Sequence, residues 1–243
     1  MTPAGSEPQD EAKDLFLATT SHELRTPLTA IKGYVRTLQR RWGALSEDAR
    51  LDALATVDEQ TDALIELTDH LLMGARAGAA AHTPAGAPFD LGEAVASAVT
   101  TYERMSERHV VSAQVPAVLP VAVGDRASVE NVLAQLIENA IKYSPDGGEV
   151  SVVVADRGGT LLVEVLDRGI GIPAGLEQEL FTPFYQASPA NTREFGGVGL
   201  GLYIVRQLVE AQGGAVAAHN RPGGGAVVSF TVPVARASGV ASA

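Results

Sequence analysis

The stretch FLATTSHELRTPL, residues 16–28, lies within a long helical pattern and decides how the first third of the chain folds. From Leu24 onward, apolar residues recur at spacings of 4, 3, 4 and 3, which is typical of a helix-bundle seam. A second, heptad-like seam begins at Leu51, after a turn at residues 42–45 and the helix-capping residue Ser46. The seams comprise Leu24, Leu28, Ile31, Val35 and Leu38, then Leu51, Leu54, Val57, Thr61, Leu64, Thr68 and Leu71.

These two helices need a partner to cover their seams. Each would be about 30 residues and about 45 Å long, and a hairpin so narrow cannot bury its own apolar face. The sequence therefore predicts an α-helical hairpin over residues 6–76 that pairs with a second copy to form a dimeric four-helix bundle.

The rest of the chain has a different sequence pattern. Residues 77–88 are rich in Ala, Gly and Pro and hold no large apolar residue, which predicts an interdomain linker. Over residues 89–235, paired strands alternate with helices, a pattern typical of an α+β sandwich with its helices on one face of the sheet. A short helix is expected from Pro173 to about Leu180, and Asp125 is expected to cap a longer one.

Composition narrows the classes of function. The 243 residues carry a net charge of −11, which disfavours nucleic-acid binding. There is no cysteine, so disulfides and thiolate metal sites are excluded. A cytoplasmic location is expected, either for a separate protein or for the cytosolic part of a membrane receptor. No apolar run approaches the roughly 18 residues of a membrane span, so no membrane contact is expected from this chain.

His22 is the candidate nucleophile of the first helix. It lies beside the Leu24/Leu28 seam, where a neutral imidazole nitrogen can attack an electrophile. Glu23 can orient the ring and take its proton, and Thr26 lies one turn further along the helix. A lone histidine on a bundle helix is usually an ordinary surface residue, so this interpretation depends on the motif around it.

Three further motifs follow along the chain. In QLIENAIKYSP, residues 135–145, an apolar helix face leaves Asn139 and Lys142 on the other side, where they can meet Mg²⁺ and a phosphate. DRGIGIP, residues 167–173, follows a strand directly. GGVGLGLYIV, residues 196–205, leads glycine-rich backbone into a helix, which makes a cradle for phosphate.

Together these motifs resemble a known family. HELRTPL, residues 22–28, resembles the H-box of histidine kinases of the largest dimerisation class. Residues 135–145 resemble the N-box of the ATP-binding superfamily that these kinases share with type II topoisomerases and a family of chaperones. Residues 167–173, the pair Phe181 and Phe184, and residues 196–205 resemble its G1, F and G2 boxes. The chain thus resembles the catalytic core of a sensor histidine kinase, with a Bergerat-type ATP-binding domain.

The resemblance implies a function and a set of site residues. ATP with Mg²⁺ would donate its γ-phosphate to His22, and the phosphate would pass to an Asp in the receiver domain of a response regulator. Glu23 would assist the attack, and Thr26 matches a position that helps to dephosphorylate the regulator. The residues expected at the nucleotide are Asn139, which would also bind the metal, Lys142, Tyr143, Asp167, Gly169, Gly171, Arg193, Gly197, Gly199, Leu200 and Gly201.

Two positions depart from the family pattern. Gln135 replaces the Asn that usually opens the N-box; ATP-hydrolysing relatives have a Glu there to activate water, so Gln135 favours transfer to histidine. Gln186 stands where the family often has an Arg, and Arg193 is the candidate to take over that role. Two alternatives stay open: an ATPase of the topoisomerase or chaperone type, and a non-enzymatic dimeric scaffold that binds ATP.

Overall fold

Two long helices form the hairpin that the seams predict. The computed structural model describes residues 7–80, 86–185 and 199–235. Helix α1 spans Glu7–Arg41, a 3-10 turn occupies Trp42–Ala44, and helix α2 spans Glu47–Ala80. The hydroxyl oxygen of Ser46 accepts a hydrogen bond from the backbone N–H of Ala49 (3.2 Å), which confirms the predicted cap.

A single hairpin covers only part of the predicted seams. The most deeply buried apolar residues of the two helices are Leu38, Ala53 and Leu67. Other apolar residues remain exposed, among them the predicted seam residues Leu28, Leu51 and Leu54, as well as Ile65 and Leu72. The face of α2 that is buried within one chain, at Ala53 and Leu67, therefore differs from the predicted seam face at Leu51 and Leu54.

The predicted linker is more regular than its composition suggests. Helix α2 continues to Ala80, and strand β1 occupies Ala87–Phe89, so both ends of the 77–88 stretch have secondary structure. Alanine is the strongest helix former, which accounts for the extension of α2. The bounds of the two domains, residues 6–76 and 89–235, remain predictions.

The second half of the chain is an α+β sandwich, as expected. The elements after β1 are α3 (Leu91–Met105), β2 (His109–Gln114), β3 (Ala122–Gly124), α4 (Arg126–Lys142), β4 (Gly148–Asp156), β5 (Thr160–Leu166), α5 (Gly201–Ala211), β6 (Val216–Asn220) and β7 (Ala226–Pro233). A five-stranded sheet has the order β2-β4-β5-β7-β6, in which β2 and β4 are parallel and all other pairs antiparallel. Strands β1 and β3 form a separate antiparallel pair.

The core lies between the helices and one face of the sheet. Along β5, Leu161, Val163 and Val165 are buried while their neighbours are only partly covered, which is the period-two pattern of a sheet packed on one side. Helix α4 contributes a fully buried row to the same core, which includes Val132, Leu133 and Ile137. The opposite face of α4 is therefore not part of this core and is partly exposed.

Local sequence signals explain where most of these elements begin and end. The carboxylate of Asp125 accepts hydrogen bonds from the N–H groups of Ala127 and Ser128, as predicted for the start of α4. The helix predicted from Pro173 to Leu180 is wrong: turns lead to a 3-10 segment at Glu179–Phe181. Gly175 has φ +82°, a left-handed conformation that cannot continue an α-helix.

Among the described residues, no helix combines the length and the apolar character needed to cross a membrane.

A part-buried side-chain hydrogen bond links α3 to α4. The Tyr102 hydroxyl donates a 2.6 Å hydrogen bond to Oε1 of Glu138, and Tyr102 is buried. Burial and the adjacent carboxylate raise the pKa of Tyr102, so the hydroxyl keeps its proton for this bond.

We expect Tyr102→Phe to lower the free energy of unfolding by about 1–2 kcal/mol, because a hydrogen bond to a charged group is lost. Denaturant titration followed by circular dichroism measures the change. Tyr34→Phe, at an exposed position of α1, is the matched control and should change it by less than about 0.5 kcal/mol. Equal effects of the two substitutions would contradict the role given to the Tyr102–Glu138 bond.

Candidate functional site

The imidazole of His22 projects into solvent from the middle of α1. Its side chain is 74% exposed, and Nδ1 lies 3.3 Å from Oε1 of Glu23. A proton on Nδ1 that is shared with the carboxylate fixes the tautomer in which Nε2 carries the lone pair. The ring is thus oriented from one side and open to an electrophile on the other.

Thr26 and Pro27 flank this imidazole on the same helix. The Thr26 hydroxyl donates to the backbone carbonyl of His22 (3.2 Å) and is exposed, one turn along the surface from the ring. Pro27 is buried within α1, and it has no N–H to give to the carbonyl of Glu23. Sequence reasoning placed all of these groups on one patch of helix, and the structure has them there.

One face of α4 carries the polar residues of the second motif. Gln135, Asn139 and Tyr143 follow one another at intervals of four residues and are each partly exposed, so they share a side of the helix. Lys142 is beside them, with Nζ 5.9 Å from the centroid of the Tyr143 ring. Glu138 is turned away toward Tyr102, so its carboxylate cannot serve as a base beside Gln135.

The C-terminal end of this face meets the loop after β5. The carbonyl of Tyr143 accepts a hydrogen bond from the N–H of Ile170 (3.0 Å). A Cβ atom on Gly169 would collide with the same carbonyl, so only glycine lets the two segments approach this closely. The loop that holds Asp167, Gly169 and Gly171 therefore lies directly against the end of α4.

Asp167 is buried and tightly held. Its Oδ1 accepts hydrogen bonds from the N–H groups of Gly169 and Ala226, both at 2.9 Å. Burial raises the pKa of this carboxyl, while the two N–H groups and the nearby Arg221 lower it in part. With Oδ1 occupied by the backbone, Oδ2 is the oxygen that is available to a ligand.

The other end of the α4 face meets the start of α5. A Cβ atom on Gly201 would lie 2.8 Å from the amide nitrogen of Gln135, so the longer side chain of Gln135 fills the space beside this glycine. Leu200 is buried and can offer a ligand only its backbone, and the carbonyl of Gly199 accepts from the N–H of Phe184 (2.9 Å). The N–H groups of the first turn of α5 form the positive end of a helix dipole.

Helix α2 approaches this site, which the sequence did not reveal. Leu67 is 1% exposed and belongs to the same apolar cluster as the buried residues of α4 and α5. Burial and the charge of Glu66 raise the pKa of Tyr143, so Glu66 lies near the end of α4. No periodicity argument could find this contact, because it joins the two halves of the chain.

The structure tests the positions of some predicted residues and not of others. Asn139, Lys142, Tyr143, Asp167, Gly169 and Gly171 lie along α4 and the adjoining loop, and Gly199, Leu200 and Gly201 lie at the start of α5. Gln186, Arg193 and Gly197 are outside the described residues. Sequence reasoning missed Asn220, Arg221 and Ala226, which contact the Asp167 loop from the β6–β7 hairpin.

Two family models match the chain. Residues 12–80 match the His Kinase A (phospho-acceptor) domain. Residues 124–236 match the histidine kinase-, DNA gyrase B- and HSP90-like ATPase. The first match contains His22 and the second contains the α4 face and the Asp167 loop.

Similar proteins include a sensor protein and a sensor histidine kinase. The sensor protein KdpD of Mycobacterium tuberculosis is 36% identical over 226 residues, which cover 90% of this chain and 26% of that protein. The sensor histidine kinase WalK of Bacillus subtilis is 32% identical over 232 residues, covering 93% of this chain and 38% of WalK. The chain thus spans well under half the length of these relatives.

Solved structures agree on the fold. Full-length ShkA in complex with AMPPNP has a TM-score of 0.63 and 29% identity, covering 91% of this chain and 46% of ShkA. The histidine kinase ThkA in complex with the response regulator protein TrrA has a TM-score of 0.74, covering 94% of this chain and 64% of that one. At 21% identity, the second likeness concerns the fold alone.

The two models match in the order that the motifs predicted, and the relatives that cover nine-tenths of the chain are sensor proteins of this class. The chain therefore belongs to the sensor histidine kinases and contains their catalytic core.

Proposed function

We propose that this chain transfers the γ-phosphate of ATP to Nε2 of its own His22. The observation that carries the proposal is the imidazole itself, which is 74% exposed and bonded through Nδ1 to Glu23. A histidine held in that tautomer has its nucleophilic nitrogen directed away from its own helix. An ATPase-like domain in the same chain supplies the electrophile.

The transfer follows from the roles of the two ring nitrogens. Nε2 attacks the γ-phosphorus, a new N–P bond forms, and the bond between that phosphorus and the β,γ-bridging oxygen breaks, so ADP leaves. The positive charge that develops on the ring is stabilised by Glu23, which accepts the Nδ1 proton or holds it in a short hydrogen bond.

The proposed nucleotide lies along α4, between the Asp167 loop at one end and the start of α5 at the other. Oδ2 of Asp167 can accept a hydrogen bond from the 6-amino group of adenine, beside the glycine backbone of its loop. The N–H groups at the start of α5 can receive the phosphates at the other end, with Lys142 as an additional cation. The AMPPNP complex of ShkA supports an ATP-like ligand for this fold.

Mg²⁺ is proposed to accompany ATP, with the amide oxygen of Asn139 as a protein ligand. Mg²⁺ prefers oxygen, keeps several waters and usually takes only one or two protein ligands besides phosphates. The partly exposed Asn139 on the polar face of α4 fits that requirement. When bound, the ion would neutralise charge on the phosphates and favour departure of ADP.

A homodimer is proposed from the uncovered residues of the hairpin. Leu28, Leu51, Leu54, Ile65 and Leu72 remain exposed on one chain, on two helices whose seams repeat like those of a bundle. A second copy that covers them gives the four-helix bundle. The exposed His22 would stay on its outer surface.

The receiver domain of a response regulator is proposed as the acceptor of the phosphate. The family places an Asp of that domain against the phosphohistidine, and the open surface around His22 gives it access. Thr26, exposed one turn away, is proposed to position water when the regulator is dephosphorylated. Since ATP is the phosphate donor, we propose that the reaction takes place in the cytoplasm.

We expect His22→Gln to abolish acid-labile ³²P labelling from [γ-³²P]ATP and Mg²⁺, because glutamine offers no nucleophilic nitrogen. The parent should label, and the variant should still bind ATP with unchanged affinity.

His219→Gln is the matched control for that experiment. His219 is an exposed histidine on β6, and its replacement should leave labelling unchanged. Labelling that survives His22→Gln would refute the kinase assignment of this residue. Steady ATP hydrolysis by a parent that never labels would favour the ATPase alternative instead.

Leu54→Asp should convert the dimer to a monomer, because a carboxylate would be buried without a partner at the bundle interface. Analytical ultracentrifugation measures the mass. Val118→Asp, at a position that is 87% exposed in the other half of the chain, should leave the mass unchanged. A Leu54→Asp protein that sediments as a dimer would remove the support for this interface.

Asp167→Asn should lower ATP affinity about 100-fold, since an amide nitrogen in place of Oδ2 would face the 6-amino group of adenine. The affinity for ITP, which has a carbonyl in place of the 6-amino group, should fall less in the same variant. Because burial raises the pKa of Asp167, affinity of the parent for ATP should fall on acidification at a higher pH than an exposed aspartate would require.

Equilibrium titration with fluorescent analogues of the two nucleotides provides the measurement. Asp156→Asn is the control, since Asp156 accepts from Gly158 N–H in the β4–β5 turn, and its affinities should match the parent. Equal losses of ATP and ITP affinity in Asp167→Asn would argue against a direct contact with the base.

A further inference from the structure

The β6–β7 hairpin contacts the Asp167 loop at both of its ends. At the start of the loop, the carbonyl of Ala226 accepts from Asp167 N–H (3.0 Å), and the N–H of Ala226 donates to the side-chain Oδ1 of Asp167 (2.9 Å). Arg221 Nη1 lies 3.4 Å from the carbonyl of Asp167. A Cβ on the buried Gly225 would collide with that same carbonyl. These contacts hold the first residue of the loop.

Asn220 holds the far end of the loop through two hydrogen bonds. Its Oδ1 accepts from the N–H of Ile172, and its Nδ2 donates to the carbonyl of Ile172, both at 2.7 Å. A side-chain amide that engages both polar groups of one residue imitates the pairing of a neighbouring strand. The backbone of Ile172 is thereby satisfied, although it lies in an irregular loop.

The residue before Ile172 depends on the same amide. Gly171 has φ +73°, and a Cβ there would lie 2.8 Å from Oδ1 of Asn220. Asn220 therefore packs directly against the backbone of Gly171 while it bonds to Ile172. Without it, Gly171 would have a wide range of accessible conformations beyond the last held residue, Ile170, whose N–H donates to the carbonyl of Tyr143.

We propose that Asn220 is a positioning residue for recognition of the adenine ring, which rests on the nucleotide site proposed above. Asp167 is fixed by Ala226 and Gly169, but one fixed carboxylate does not define a base-sized space. The opposite wall is the backbone of Gly171 and Ile172, and Asn220 sets its distance from Asp167. Asn220 itself does not touch the nucleotide.

Loss of the Asn220 contacts should weaken ATP binding and leave phosphotransfer itself unchanged. A loop that is loosened at Ile172 must be ordered again when the base binds, which weakens affinity without changing the geometry of bound phosphates. Asn220 should therefore govern KM for ATP and the preference for ATP over other purine nucleotides. The labelling rate of His22 at saturating ATP should stay within about twofold of the parent.

The experiment compares Asn220→Ala and Asn220→Asp with the parent, each in the 243-residue chain. Asn220→Ala removes both bonds, and we expect the Kd for ATP to rise about tenfold. The ratio of ATP to GTP affinity should fall by at least about threefold. Asn220→Asp keeps the shape and one acceptor but places a carboxylate against the carbonyl of Ile172, so it should bind ATP as weakly as the alanine variant.

His219→Asp controls for the added charge, because it introduces the same carboxylate at the adjacent exposed position of β6. It should bind ATP like the parent. Amide hydrogen exchange adds a structural readout: the N–H of Ile172 should exchange faster in Asn220→Ala, while the amides of β5 and β7 keep their protection.

Several outcomes would overturn the inference. Asn220→Ala that binds ATP within twofold of the parent would do so, as would Asn220→Asp that behaves like the parent, since only shape would then matter. Faster exchange throughout β5 and β7 would mean that Asn220 supports the fold in general. A parent that binds ATP with this dependence on Asn220, but never labels His22, would refute the proposed kinase function and leave the inference intact.

Discussion

The antiparallel pairing of β5 with β7 fixes the centre of the sheet, and it continues by one residue on each strand into the nucleotide site. Beyond the last paired residues, Asp167 N–H donates to the carbonyl of Ala226, and Ala226 N–H donates to the side chain of Asp167. The carboxylate therefore takes its position from the hydrophobic core, through Val163 and Val165 on the same strand. The carboxylate that we propose to read the adenine ring is therefore held in place by the sheet.

Helix α4 connects that fixed point with the place where phosphates can be bound. Its apolar face packs on the sheet, so the direction of its polar face is settled by burial of Val132, Leu133 and Ile137. The polar face then reaches Ile170 through Tyr143 at one end and Gly201 through Gln135 at the other. One amphipathic helix thereby sets the separation between two glycine-rich segments that are far apart in sequence.

Local patterns predicted most of this architecture, and long-range contacts were the part that they missed. The heptad rhythm from Leu24 predicted the hairpin, and Asp125 predicted the start of α4, because both effects act within a few residues. Asn220 gave no signal, since its partner Ile172 is 48 residues away. The helix predicted after Pro173 failed because Gly175 adopts a positive φ that the turn demands.

Burial of Leu67 stabilises the contact between the helical hairpin and the nucleotide-binding half. Leu67, on α2, is enclosed by the apolar cluster of that half, so separating the half from the hairpin would expose Leu67 to water at a cost of about 2 kcal/mol. At equilibrium, that cost alone restricts the undocked arrangement to a few per cent of molecules. Any input that strains α2 near Leu67 would act on this small population, and a shift of about 1.4 kcal/mol would enlarge it nearly tenfold.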